Sequence, residues 1–202
     1  MPLARPAEAP GGRRLSLTVV PFLGDVVYRQ VRYARRRLLW IPSIDPYRWS
    51  VGFPALYTSL FEDVAIAERI KRTGADPTRI VLGTARTEIQ SVADLITPTG
   101  LAAAGVTLAD ITGPGHVRSQ RLGREAYDRG VAGLLVPAAI FGLAEIFPTF
   151  RYAPARGRSA DRSMPRDGVN LVLFLERFAP NDAFVRDVRP RRTVTVCGIP
   201  AG

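Results

Sequence analysis

The chain has 202 residues, 47% of them hydrophobic and 23% charged, with a formal net charge of +10. That balance excludes a disordered or fibrous polypeptide, and the length allows one core-forming domain with or without tails. Lys71 is the only lysine, so nearly all the positive charge is guanidinium, which grips phosphate or carboxylate with two prongs; an anionic ligand or acidic partner is expected. Residues 1–14 contain no apolar h-region and read as a disordered leader, not a signal peptide. LSLTVVPF and DVVYRQVRY then carry the β-branched alternation of two strands, which Arg35 to Arg37 interrupt. WIPSIDPYRWSVGFP is dense in Pro, Gly, Ser and Asp and reads as a loop. ALYT is a short strand. SLFE then matches a capping box, with Ser59 as cap and Glu62 reaching back, opening a helix that runs to about Thr73 and stops at Gly74.

TRIVLGTART, from Thr78, predicts another strand. GLAAAGVTLADIT reads as helical despite two glycines, and GPGHVRSQRLGREAYDRG as a polar helix ending at Gly130. AGLLVPAA is a buried strand, VNLVLFLERF a strong one, and RTVTV a last edge strand. Between the first two lies a long loop at about 142–168. The uncharged run Val131 to Ala144 is too short for a bilayer span and reads as a core element, so no membrane partner is expected. Cys197 is the sole cysteine, which rules out an intrachain disulfide and suits a reducing cytoplasm. The expected class is α+β, a mixed sheet with flanking helices, in one domain over 15–202.

At roughly 100° per residue, Leu60, Phe61, Val64 and Ala65 share one arc of the 59–73 helix with Glu68. A carboxylate there needs either an arginine partner or a task, because burying it unpaired is costly. Arg29 shares a strand face with Val27 and Val31, so it either snorkels at an edge or points into a cleft. Tyr57 is a core tyrosine with a bonded hydroxyl or a ring offered to a ligand, and Arg48 is a solvated loop charge or a ligand contact. His116 has no companion at triad or metal spacing. The chain lacks CxxC, HExxH and GxxxxGK[ST], so no metal cofactor is expected.

The order Tyr28-Arg29, Arg48-Trp49, G-x-P-x-L-Y-T (Gly52 to Thr58) and A-x-A-E (Ala65 to Glu68) resembles the RES domain, a family named for an Arg, a Glu and a Ser. SQRLGREAYDRG, AGLLVP and NLVLF continue the resemblance, which spans about Val26 to Phe178. It implies a fold like that of ADP-ribosyltransferase toxins, and a toxin that depletes NAD⁺ and is neutralised by an Xre-type antitoxin. It also implies an NAD⁺ site built from Arg29, Arg48, Tyr57 and Glu68, with the dinucleotide as substrate and no further cofactor. The carboxylate of Glu68 would face the positive charge that develops on the ribose, the arginines would hold the pyrophosphate, and Tyr57 would stack on the nicotinamide.

The chain departs from the family pattern at three places. Pro137-Ala138 stands where the family has Pro-Ser, Tyr47 and Ser50 replace a glycine and an asparagine around Arg-Trp, and the 139–168 connection is long. Pro137 ends the buried strand, so Ala138 is expected to emerge at the strand end among the NAD⁺-binding residues; its methyl group cannot make the hydrogen bond of the family's serine, which implies a slowed enzyme whose rate Ala138→Ser raises. Two rival readings remain: an interaction protein with a weakened site, and a basic nucleic-acid module using Arg35 to Arg37, the arginines from Arg151 to Arg166, and Arg189, Arg191 and Arg192. The second lacks any recognition motif.

Overall fold

The computed structural model describes residues 16–71, 77–138 and 168–196. The expected leader, the helix stop at Gly74, nearly all of the 142–168 loop, and Cys197 lie outside the described residues.

β1 (Val19–Arg32) is one long strand where the sequence suggests two. Its register against β3 (Thr78–Asp94) shifts between Val20 and Phe22 and again between Phe22 and Asp25, so PFLGD bulges without breaking the ladder. A 3₁₀ turn (Tyr33–Leu38) carries the arginine cluster that ends β1. β2 (Leu56–Ser59) leads into helix α1 (Glu62–Lys71). The S-x-x-E signature at Ser59–Glu62 does not form a capping box. Ser59 ends β2 and donates its hydroxyl to Asn170 Oδ1 at 2.7 Å, so the helix starts at Glu62 instead.

β3 runs seven residues beyond TRIVLGTART, with Arg86, Glu88 and Gln90 exposed and Thr87 and Ile89 buried, a period-two pattern. GLAAAGVTLADIT splits into α2 (Pro98–Ala103) and α3 (Leu108–Thr112), because Gly105 takes φ +64° and turns the chain between them. α3 opens on a capping box of Thr107 and Asp110. Helix α4 (Val117–Asp128) precedes β4 (Gly133–Pro137) and β5 (Val169–Leu173). β5 is shorter than VNLVLFLERF, since Leu175–Arg177 form a 3₁₀ turn. β6 (Ala183–Arg186) has no counterpart in the sequence reading, whereas β7 (Arg192–Val196) is the expected edge strand.

The sheet is mixed: β3 and β4 run parallel, and every other pairing is antiparallel, giving the α+β class. The order β1-β2-β5-β4-β3 closes on itself because β3 also pairs with β1. Phe22, Val27, Leu56, Val81, Ile89, Leu135 and Leu171 draw one core from all five strands of this ring. The other faces of β4 and β5 bury Leu134, Val136, Val172 and Phe174 against Ile111, Leu122 and Ala126 of α3 and α4. β4 and β5 are thus buried on both faces, which explains their uninterrupted apolar sequences. Each fully buried Leu, Ile or Phe contributes about 1.5–3 kcal/mol relative to exposure. The ring is weakest between β1 and β2, which share only the pair Tyr28 and Ser59.

Candidate active site

Where β1 and β2 part, a cavity of about 400 Å³ opens. Its walls come mainly from β1, β2, α1 and the loop before β2. Arg29, Arg48, Tyr57 and Glu68, distant in sequence, all line it. Five arginines (Arg29, Arg32, Arg35, Arg48, Arg69) face two carboxylates (Asp45, Glu68) around the same space, a balance that suits an anionic ligand.

Arg29 crosses from β1 to β2, where its Nη1 donates to the Tyr57 carbonyl at 2.7 Å. That bond satisfies a strand carbonyl close to the point where the two strands diverge. The Arg29 Nε is buried and has no hydrogen-bond partner among the described residues. Burial brings the Arg29 pKa down to about 10; Tyr47 opposes the fall and neighbouring Arg69 adds to it. Arg29 therefore stays charged at neutral pH, in surroundings that penalise the charge.

Glu68 lies on α1, with Val64 and Ala67 of the same helix buried against Ala138. Its Oε1 accepts from Asn170 Nδ2 at 2.9 Å, and Asn170 Oδ1 accepts from Ser59 Oγ at 2.7 Å. Nearby, Arg69 Nε donates to Gln30 Oε1 at 2.8 Å, joining α1 to β1.

The aromatic wall is held from behind. The Tyr57 hydroxyl accepts from the Trp49 N–H at 3.0 Å and shares a 3.0 Å hydrogen bond with Ser50 Oγ. Tyr47 meets the Tyr57 ring edge-on, with centroids 5.5 Å apart at 64°. Both residues that depart from the family pattern around Arg-Trp therefore touch Tyr57. Helix α4 supports this loop closely: a Cβ on Gly123 would overlap the Trp49 carbonyl, so only glycine allows the approach. Gln120 Nε2 also donates to the Tyr47 carbonyl at 3.0 Å. Arg48 is engaged structurally, its Nη1 donating to the carbonyls of Ile111 at 2.9 Å and Gly113 at 2.8 Å, at the end of α3.

Ala138 stands apart from this group. It is fully buried beside Val64 and Ala67, and Pro137, not Ala138, lines the cavity. Two of the arginines considered for nucleic acid are engaged elsewhere: Arg191 forks onto Asp187, and Arg192 pairs with Glu62. Among the described residues no three His, Cys, Asp or Glu side chains gather as a metal site would need, and no helix is long and apolar enough to cross a membrane.

Sequence reasoning missed Asn170 and assigned Ser59 to the wrong task. The signal for Asn170 was present, since it is the one polar residue between Val169 and Leu171 in an otherwise apolar strand. Arg69 and Gln30 carried no such mark, being polar residues in segments already rich in charge.

A solved structure of the M. tuberculosis MbcT-MbcA toxin-antitoxin complex contains a chain with the same fold, at a TM-score of 0.57 and 19% identity over 89% of this chain and 87% of that one. None of the curated proteins compared matches the chain. The family model of the RES domain matches residues 27–174, a span that starts in β1, ends just past β5 and takes in every site residue from Arg29 to Asn170. Sequence order and family match thus meet on the same residues, and the chain belongs to the RES domain family.

Proposed function

We propose that this protein is the toxin of a toxin–antitoxin pair and that it cleaves the nicotinamide–ribose bond of NAD⁺. The observation that carries the reading is the convergence of the Arg29 guanidinium and the Glu68 carboxylate on one cavity. A guanidinium at the wall of a cavity is matched by a phosphate oxygen, and a fixed carboxylate by a developing cation. When the bond breaks, its electron pair leaves with nicotinamide and neutralises the pyridinium. The ribose carbon becomes oxocarbenium-like, as in glycoside cleavage. An acceptor oxygen, from water or phosphate, then bonds that carbon and the acceptor's proton departs. Glu68 stabilises the cationic ribose, Arg29 holds the pyrophosphate, and the Tyr47–Tyr57 wall offers ring faces to the nicotinamide. Arg48 acts mainly by holding the loop that carries this wall.

An antitoxin partner, of Xre type by family, is supported by the cavity's border. Leu38, Ile41, Ile44 and Val51 are 46%, 52%, 72% and 41% exposed in the segment beside it, apolar surface that a covering protein would bury. NAD⁺ as substrate and such a partner both argue for a cytoplasmic protein. Arg191 and Arg192 pair with carboxylates, which removes two of the arginines from the nucleic-acid reading. The test is nicotinamide release by the purified chain and by Glu68→Gln. Wild type should release nicotinamide, and the amide, which keeps shape and loses charge, should lower the rate by about 10²–10³-fold. A Glu68→Gln chain active within a few-fold of wild type would end this assignment.

A further inference from the structure

We infer that Asn170, anchored by Ser59, is a positioning residue that fixes the Glu68 carboxylate at the cavity. The inference rests on the proposed role of Glu68, and the geometry gives it three supports. Ser59 and Asn170 are directly opposed across the antiparallel β2–β5 pair, so their side chains lie on one face within easy reach. β5 is paired on both edges, Asn170 meeting Ser59 on one side and Val136 on the other, which makes it a rigid platform.

The third support is the direction of the hydrogen bonds. A side-chain amide presents an acceptor on one arm and donors on the other, and either arm could face the cavity. Glu68 selects the arm: the NH₂ turns to its Oε1 at 2.9 Å, and the Ser59 hydroxyl, able to donate or to accept, donates to the oxygen at 2.7 Å and anchors it. A carboxylate can only accept, so the reverse orientation would set two acceptors against each other. The chain hydroxyl, amide, carboxylate therefore runs one way. It also supports Glu68 through a neutral donor, adding no positive charge to the group that must face a cation. Ser59, Asn170 and Glu68 all line the cavity, so the relay acts on the site itself.

The experiment uses the full chain carrying Asn170→Ala, Ser59→Ala or both, with melting temperature as a folding control. Removing a hydrogen bond to a charged group corresponds to about ten- to a hundred-fold in rate. Asn170→Ala should lower kcat for nicotinamide release by that factor while KM for NAD⁺ stays within about three-fold, because the carboxylate is mispositioned and not the phosphates. Ser59→Ala should cost less, about three- to ten-fold, and should cost nothing further in the Asn170→Ala background, since it acts through the amide. Additive losses, or a wild-type kcat in folded Asn170→Ala beside an inactive Glu68→Gln, overturn the relay while leaving the proposed reaction standing. A second readout does not need the reaction: the Asn170 side-chain NH₂ protons, followed by NMR, should shift in Glu68→Gln and lose exchange protection in Ser59→Ala. If wild type releases no nicotinamide, that response alone supports the relay and only the reaction falls. NH₂ signals indifferent to both changes overturn it.

Discussion

Arg29→Met should make the free protein more stable and unable to hold NAD⁺. The fall of the Arg29 pKa by more than two units, to about 10, is set chiefly by burial. At about 1.36 kcal/mol per pH unit, it corresponds to roughly 3 kcal/mol of stability lost by keeping the charge in place. Methionine fills a similar volume without that cost. It also deprives the Tyr57 carbonyl of its 2.7 Å donor, a loss of about 1.5–2 kcal/mol. The net expectation is a gain of about 1–2 kcal/mol, or about 2–8 °C in melting temperature for a chain of this size. A base whose folded pKa lies below its unfolded one destabilises at every pH below the folded value. The gap between variant and wild type should therefore be flat from about pH 6 to 9 and narrow only above about pH 10. In a Glu68→Gln background, where the dinucleotide is not consumed, NAD⁺ should raise the melting temperature of the chain that keeps Arg29 and leave that of the Arg29→Met chain unchanged. An Arg29→Met protein that melts several degrees below wild type, with its NAD⁺ response intact, would show that Arg29 serves the fold and refute the argument.

Arg48→Ala removes two carbonyl contacts at the end of α3 and should cost about 1–3 kcal/mol, read as a lower denaturation midpoint; a variant as stable as wild type that no longer binds NAD⁺ would return Arg48 to gripping phosphate. Ala138→Ser sets a hydroxyl beside Val64 and Ala67, so it should lower stability by about 1–3 kcal/mol and leave nicotinamide release within about two-fold. A clear rate gain would show that residue 138 reaches the cavity after all. Gly123→Ala pushes α4 off the Trp49 backbone and should cost about 1–3 kcal/mol and weaken NAD⁺ binding through the Tyr47–Tyr57 wall; an unchanged denaturant midpoint would contradict it.

The elements that repeat a simple period were legible in the sequence, and the errors fall where distant segments meet. β4 and β5 announced themselves as apolar runs because each is buried on both faces. The end of β3 was missed, although Glu88 and Gln90 alternate with buried Ile89, because polar residues in a strand's outward positions look like loop. Ser59 shows the same limit at the site. Its local pattern favours a helix cap, but a strand partner more than a hundred positions away claims its hydroxyl, and no window of sequence contains both. Arg29, Tyr57 and Glu68 could be singled out because each is a polar intrusion among apolar neighbours. What each one touches depended on the β1–β2 and β2–β5 registers, which short-range periodicity does not encode.

The closed ring also sets an order of events during synthesis. β1, β2, α1, β3 and β4 all leave the ribosome before β5, yet β5 is the strand that sits between β2 and β4. Until residues 169–173 arrive, β2 has no partner on that side and the ring stands open. Asn170 comes with the closing strand, so Glu68 gains its amide support only after more than four-fifths of the chain has been made. Pairings this remote in sequence form late and slowly. A nascent chain therefore carries the arginine and the carboxylate without the arrangement that makes them a site. The proposed site is thus completed only when the strand that closes the ring is in place.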